Sequence, residues 1–138
     1  MNPSAGSFTI NPRLQRHFCS FAVNVPSSDA LFHILNSILS QHINAPQHKF
    51  DNSIKNMCAS LVQTAIVLHQ KISTSFLPTA IKFHYNFNLR DIANIFTGML
   101  YANFETCPNV NQLLRLWVHE CNRVYGDKLS LFSYEYKN

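Results

Sequence analysis

The spacing of apolar residues changes at Pro26, and that change constrains the fold more than any other feature of the chain. Before it, Cys19, Phe21, Val23 and Val25 alternate with Ser20, Ala22 and Asn24, the period of a strand with one covered face. After it the period becomes that of a helix. Leu31, Ile34, Leu35, Ile38 and Leu39 form one stripe, with Ser27 or Ser28 placed to cap it and Asp29 in its first turn. Ile54, Met57, Cys58, Leu61, Ala65, Leu68 and Ile72 form a longer one that stops before Pro78. Ile92, Ile95, Phe96, Met99 and Leu100 form a third, with Asn88 and Asp91 spaced as a capping box. Val110, Leu113, Leu114, Trp117, Cys121 and Val124 form the fourth, and Gly126 stands where a C-terminal cap would.

Four amphipathic helices joined by short connections bury their stripes against one another, so a bundle is the expected packing. Helices are expected over Ser28–His42, Asp51–Ser75, Asn88–Tyr101 and Asn109–Tyr125, with Cys19–Val25 extended. Between the second and third helices, Ile81, Phe83, Tyr85 and Phe87 alternate with Lys82, His84 and Asn86. That pattern predicts an extended segment laid on the core, because a lone strand does not stand by itself.

Several function classes are disfavoured by what the chain contains. With 138 residues it fits one small domain, and 46% hydrophobic residues suffice for a core. Its 11 lysines and arginines against 7 acids are scattered rather than gathered in a stripe, so no nucleic-acid partner is expected. No apolar run approaches the ~20 residues of a membrane span, so no membrane partner is expected either. Residues Met1 to Ile10 lack the charged start and apolar stretch of a secretory signal. Cys19, Cys58, Cys107 and Cys121 are widely spaced with no CxxC pair, a pattern that fits buried free thiols in a reducing compartment.

No metal is expected. His119 and Glu120 begin an HExxH pattern that fails at its second histidine, and His119 and Cys121 point to different sides of a helix. Only Gly6, Gly98 and Gly126 are glycines, and no GxxxxGK[ST] occurs, so the chain builds no phosphate-cradling loop by itself. No Ser-His-Asp or Cys-His grouping has motif context.

Arg90 stands out against that background. It follows the cap residue Asn88 in a first helical turn, where the helix dipole disfavours a cation. An anion held by free backbone N–H groups and the guanidinium together would account for it. A surface arginine paired with Asp91 is the other reading of the same spacing.

Longer stretches carry a resemblance. Asn2-Pro3-Ser4-Ala5-Gly6-Ser7-Phe8-Thr9-Ile10-Asn11-Pro12-Arg13-Leu14-Gln15-Arg16-His17-Phe18 resembles the sensor-I segment of the third AAA+ module of axonemal dynein heavy chains. Thr74 to Leu100, with Phe76-Leu77-Pro78-Thr79-Ala80-Ile81-Lys82-Phe83-His84-Tyr85 and Phe87-Asn88-Leu89-Arg90-Asp91, resembles the lid of the same module. Leu116-Trp117-Val118-His119-Glu120 and Arg123-Val124-Tyr125-Gly126-Asp127-Lys128 extend the likeness, which runs from Met1 to Lys128.

The resemblance implies a mainly α fold: a helical-bundle AAA+ lid over residues 27–128, preceded in residues 1–26 by the C-terminal end of the large domain, made of the sensor-I segment, a short helix and a short strand remnant. Residues 129–138 form a divergent tail. It implies nucleotide-sensing roles for Asn2, at the sensor-I position, and Arg90, at the sensor-II position. Asn2 read on its own is an Asn-Pro turn. Arg13 and Arg16 lie near the place of an arginine finger, but the finger position itself is Cys19 here. Arg16 is the candidate for an inter-module contact, or else a solvated helix residue.

Walker A and Walker B are expected before Met1, so the chain alone is expected to be inactive. Its parent would be an ATP-driven, minus-end-directed microtubule motor of cilia and flagella, placed in the axoneme, cytoskeleton and cytoplasm. The parent would use ATP or ADP with Mg, while nothing is expected to bind this chain tightly. Partners would be the neighbouring AAA+ modules, the dynein complex and microtubules, with the third module regulating the cycle. The alternatives are a lid from another AAA+ ATPase and a non-catalytic helical interaction module.

Overall fold

A computed structural model describes residues 11–130 except 20, 49, 80, 81 and 83. The elements follow the apolar stripes. A short helix α1 (Pro12–Gln15) begins with proline at its first position, and its cap Asn11 accepts from the Arg13 amide at 2.9 Å. Helix α2 (Ser28–Asn44) is capped by Ser27, whose hydroxyl accepts from the Ala30 amide at 3.2 Å. It stops at Ala45, which Pro46 pushes out of the helical region to ψ 133. Its buried Leu35, Leu39 and Ile43 recur every fourth residue and so share one face.

Helix α3 (Asn52–Ser75) runs 24 residues and buries Ile54, Cys58, Leu61, Val62, Ala65 and Ile66. Helix α4 (Leu89–Met99) buries Ile92, Ile95, Phe96 and Met99. Helix α5 (Val110–Cys121) continues through a π turn (Asn122–Gly126) into α6 (Asp127–Ser130). Helix α2 packs on α3 and α4 on α5, while α4 also meets α2 and α3 and thereby joins the two pairs. The main core lies between them, with Phe96, Leu39, Ile54 and Leu113 almost wholly covered. Each such side chain contributes about 1.5–3 kcal/mol through apolar burial. A second cluster gathers Ile95, Cys121, Val124 and Tyr125 under Leu68, Phe87 and Trp117.

The mainly α bundle is therefore as the stripes predict. The strand is not: among the described residues there is no strand. Phe21, Val23 and Val25 are 84%, 92% and 80% exposed, since an isolated apolar edge has no neighbour here to complete a ladder. The stretch after α3 also departs from the extended expectation. The Tyr85 amide donates to the Lys82 carbonyl at 3.3 Å and the Asn86 amide to His84 at 2.7 Å, so the chain turns there. The turn still delivers Tyr85 to the ring of Phe76 at 5.8 Å and Phe87 to that of Tyr125 at 5.9 Å. Ile81 and Phe83 lie outside the described residues.

Gly126 does not cap a helix end, as its place in the sequence suggested. It sits in the π turn, where an added Cβ would overlap the Asn122 side-chain oxygen. The turn admits one extra residue per circuit, and a residue without Cβ allows that crowding.

Candidate functional site

The start of α4 is the place where the sequence puts a cation, and its local chemistry is built by a capping box. The Asn88 side chain accepts from the Arg90 amide at 2.9 Å, and Asp91 Oδ2 accepts from the Asn88 amide at 2.8 Å. The Asp91 amide in turn donates to the Asn88 carbonyl at 3.0 Å. The amides of Arg90 and Asp91 are thus satisfied within the helix end. This corrects one expectation: an anion at this terminus finds the guanidinium, not a row of free N–H groups.

Arg90 is exposed, and among the described residues its side chain makes no ion pair or hydrogen bond. The local pairing with Asp91 is not formed, because Asp91 is already engaged. Lys128 Nζ stands 3.3 Å from both of its carboxylate oxygens. The same ammonium donates to the Asn86 carbonyl at 2.9 Å and lies 4.9 Å over the Phe87 ring.

The other candidate residues stand apart from this site. Asn2 lies outside the described residues. Arg16 caps the C-terminal end of α1, is exposed, and donates from Nε to the His17 ring at 3.3 Å. Helix α1 buries no residue and packs on none of the other helices, so Arg16 and Arg90 are not brought together. Cys19 is an exposed free thiol.

Two features near the site were not read from the sequence. His69 Nδ1 lies 2.8 Å from the Tyr125 hydroxyl, tying α3 to the π turn. Burial holds the His69 imidazole below its ordinary pKa, while burial and the Asp91 carboxylate push the Tyr125 hydroxyl up. Nearby, Glu120 is buried and receives Arg123 Nε at 2.9 Å and Nη2 at 2.6 Å. Burial and the neighbouring Glu120 push the Cys121 thiol up to about 11, so it is held as a thiol rather than a nucleophile. A basic residue three places after an acid on a helix could have signalled the Arg123 pair. Contacts spanning 56 and 37 positions, as for His69–Tyr125 and Lys128–Asp91, leave no such local trace.

Among the described residues no three histidine, cysteine or acidic side chains converge on a metal position. No described helix is long and apolar enough to cross a membrane. A cleft between Leu68, Ile72, Val118 and Tyr125 is mostly apolar, with Arg115, His119 and Asn122 also lining it, and does not include Arg90. What the α4 terminus offers chemically is one unpaired guanidinium, held on a rigid helix and open to solvent.

The comparisons with known proteins bear on the family of the chain. A profile of the AAA+ lid domain family matches residues 61–132, more than half of the chain. The chain is 53% identical over 129 residues to "Dynein beta chain, ciliary" of Heliocidaris crassispina, covering 94% of this chain and 3% of that protein. It is 54% identical over 129 residues to "Dynein axonemal heavy chain 17" of Homo sapiens, with the same coverage. Identity to "Dynein alpha chain, flagellar outer arm" of Chlamydomonas reinhardtii is 44%, again over 94% of this chain and 3% of the relative. The chain spans about 3% of the length of the curated relatives it matches.

Proposed function

The chain belongs to the AAA+ lid domain family and is a piece of axonemal dynein heavy-chain sequence, and from that premise we propose that it forms the lid of the third AAA+ module. In this reading residues 27–128 are the lid, residues 1–26 end the module's large domain, and residues 129–138 are a divergent tail. Arg90 contacts the nucleotide phosphates from the lid side, and Asn2 contacts them from the large domain. Arg16 faces the neighbouring module. The rest of the module supplies the phosphate-binding loop and the Mg²⁺ ligands.

The observation that supports this most is the state of Arg90. A cation in the first turn of a helix is opposed by the dipole, and among the described residues Arg90 has no ion-pair partner, the first-turn acid Asp91 being held by Lys128. A phosphate would supply that compensation, in a hydrogen bond assisted by charge on both partners. Because Arg90 is rigidly joined to the bundle through α4, gain or loss of that contact would move the lid as one body. The parent would then be an ATP-driven, minus-end-directed microtubule motor working in the axoneme of cilia or flagella. Its partners would be the adjoining modules, the dynein complex and the microtubule, and the third module would gate the cycle.

Arg90→Ala tests the reading in the intact heavy chain. The side chain is exposed, so the stability of the lid should hold or rise slightly, by about 0.3–1 kcal/mol of relieved dipole repulsion. Affinity of the third module for a fluorescent ADP analogue should fall roughly tenfold or more, as for a lost charged hydrogen bond. Unchanged affinity would return Arg90 to an ordinary surface role.

A further inference from the structure

The Lys128 side chain is placed with more care than the lid's packing requires. Its ammonium has three protons and meets three oxygens: the Asn86 carbonyl at 2.9 Å and the two Asp91 oxygens at 3.3 Å each. The Phe87 ring closes a fourth side at 4.9 Å. The segment from Asn86 to Asp91 therefore wraps around one cation, and Arg90 belongs to that segment.

The π turn aims this cation. Its i→i+5 bonds let Asn122–Gly126 take up one residue more than an α-helical turn would. Everything after it is rotated by about one residue, ~100° around the axis, relative to an unbroken α5. Lys128, two residues past the turn, lies in the segment so displaced.

Asp91 is the acidic residue of the α4 first turn and follows Arg90 directly. With its carboxylate unneutralised it would stand beside any phosphate approaching Arg90 and repel it, or draw the guanidinium onto itself. The guanidinium is not drawn onto Asp91: Lys128 holds both carboxylate oxygens, and one of them also accepts from the Asn88 amide.

We infer that Lys128 is a positioning residue of the nucleotide site: it neutralises and fixes Asp91, so that the Arg90 guanidinium stays free for phosphate. This rests on the reading of Arg90 as a phosphate contact. It adds a distinct element, one cation on α6 keeping another cation on α4 available.

The test separates charge from packing. In the intact heavy chain, Lys128→Met should weaken binding of the fluorescent ADP analogue by the third module roughly three- to tenfold. Adding Asp91→Asn should restore most of that affinity, because the amide keeps the cap geometry and removes the charge. Lys128→Arg should retain affinity without further change. In the 138-residue chain itself, Arg90 Hε exchange with solvent should slow in Lys128→Met and recover in the double variant.

Three results would overturn the inference. If Lys128→Met leaves ADP affinity unchanged while Arg90→Ala lowers it, only the positioning role falls. If Lys128→Met and the double variant lose affinity equally, Lys128 is a packing strut. If Arg90→Ala has no effect, the reading of Arg90 falls first and this one with it.

Discussion

Gly98 lies on α4 where the Glu120 carboxylate reaches across from α5, and a Cβ at that position would overlap the carboxylate. Glu120 is only 7% exposed, and Arg123 holds the same carboxylate oxygen through Nε and Nη2. The carboxylate thus sits between a glycine and a guanidinium with little room to give. Gly98→Ala should cost about 1–3 kcal/mol through overpacking, despite alanine being the better helix former. Urea unfolding of the two proteins measures it, and a stabilised alanine variant would show that Glu120 swings aside. Combining Gly98→Ala with Glu120→Ala should be less costly than the two single changes added together, because the clash disappears with the carboxylate. None of this was legible in the sequence. A lone glycine in a helical pattern registers only as a loss of propensity, and its reason lies 22 positions away.

At the scale of elements, the apolar stripes carried most of the information. Helices α2 to α5 fall where the 3.6 period put them, because each stripe has a neighbouring stripe to bury. The Asn88–Asp91 spacing likewise announced a capping box, and both of its residues take part. What the pattern could not say was whether a strand-like segment has a partner, and Phe21 to Val25 has none among the described residues. Nor does a π turn leave a residue signature: the stripe predicts a helix that ends at Tyr125 with Gly126 as its cap, whereas α5 gives way to the π turn at Asn122 and the helical path continues through α6 to Ser130. The contact between α3 and this turn is pH-sensitive. Burial depresses the His69 pKa below 6.5, so the unfolded state binds the proton more readily. The corresponding stability is fully present above pH 6.5 and is lost as pH falls from there through the folded value. Melting temperature should therefore drop between pH 7 and pH 5. His69→Gln should flatten that slope. Tyr125→Phe should cost about 0.5–1.5 kcal/mol for the lost hydrogen bond.

For the whole molecule, the question is how much of a nucleotide site one lid holds. The chain has no GxxxxGK[ST], and among the described residues the α4 terminus presents the unpaired Arg90 guanidinium, the Arg90 and Asp91 amides being spent on the capping box. Phosphate affinity in AAA+ and related folds comes from a nest of loop amides acting with a metal ion. One guanidinium–phosphate contact contributes ~1.5–3 kcal/mol. By itself that falls short of the ~4 kcal/mol of even millimolar binding, and ordering the nucleotide subtracts from it. Isothermal titration of the 138-residue chain with Mg-ATP should accordingly give no saturable heat below millimolar nucleotide, and no phosphate should be released on prolonged incubation. The same titration with the large domain present should show tight binding that weakens in Arg90→Ala. A micromolar dissociation constant for the chain alone would mean that it holds a complete site of its own, and the division of labour between lid and large domain would have to be abandoned.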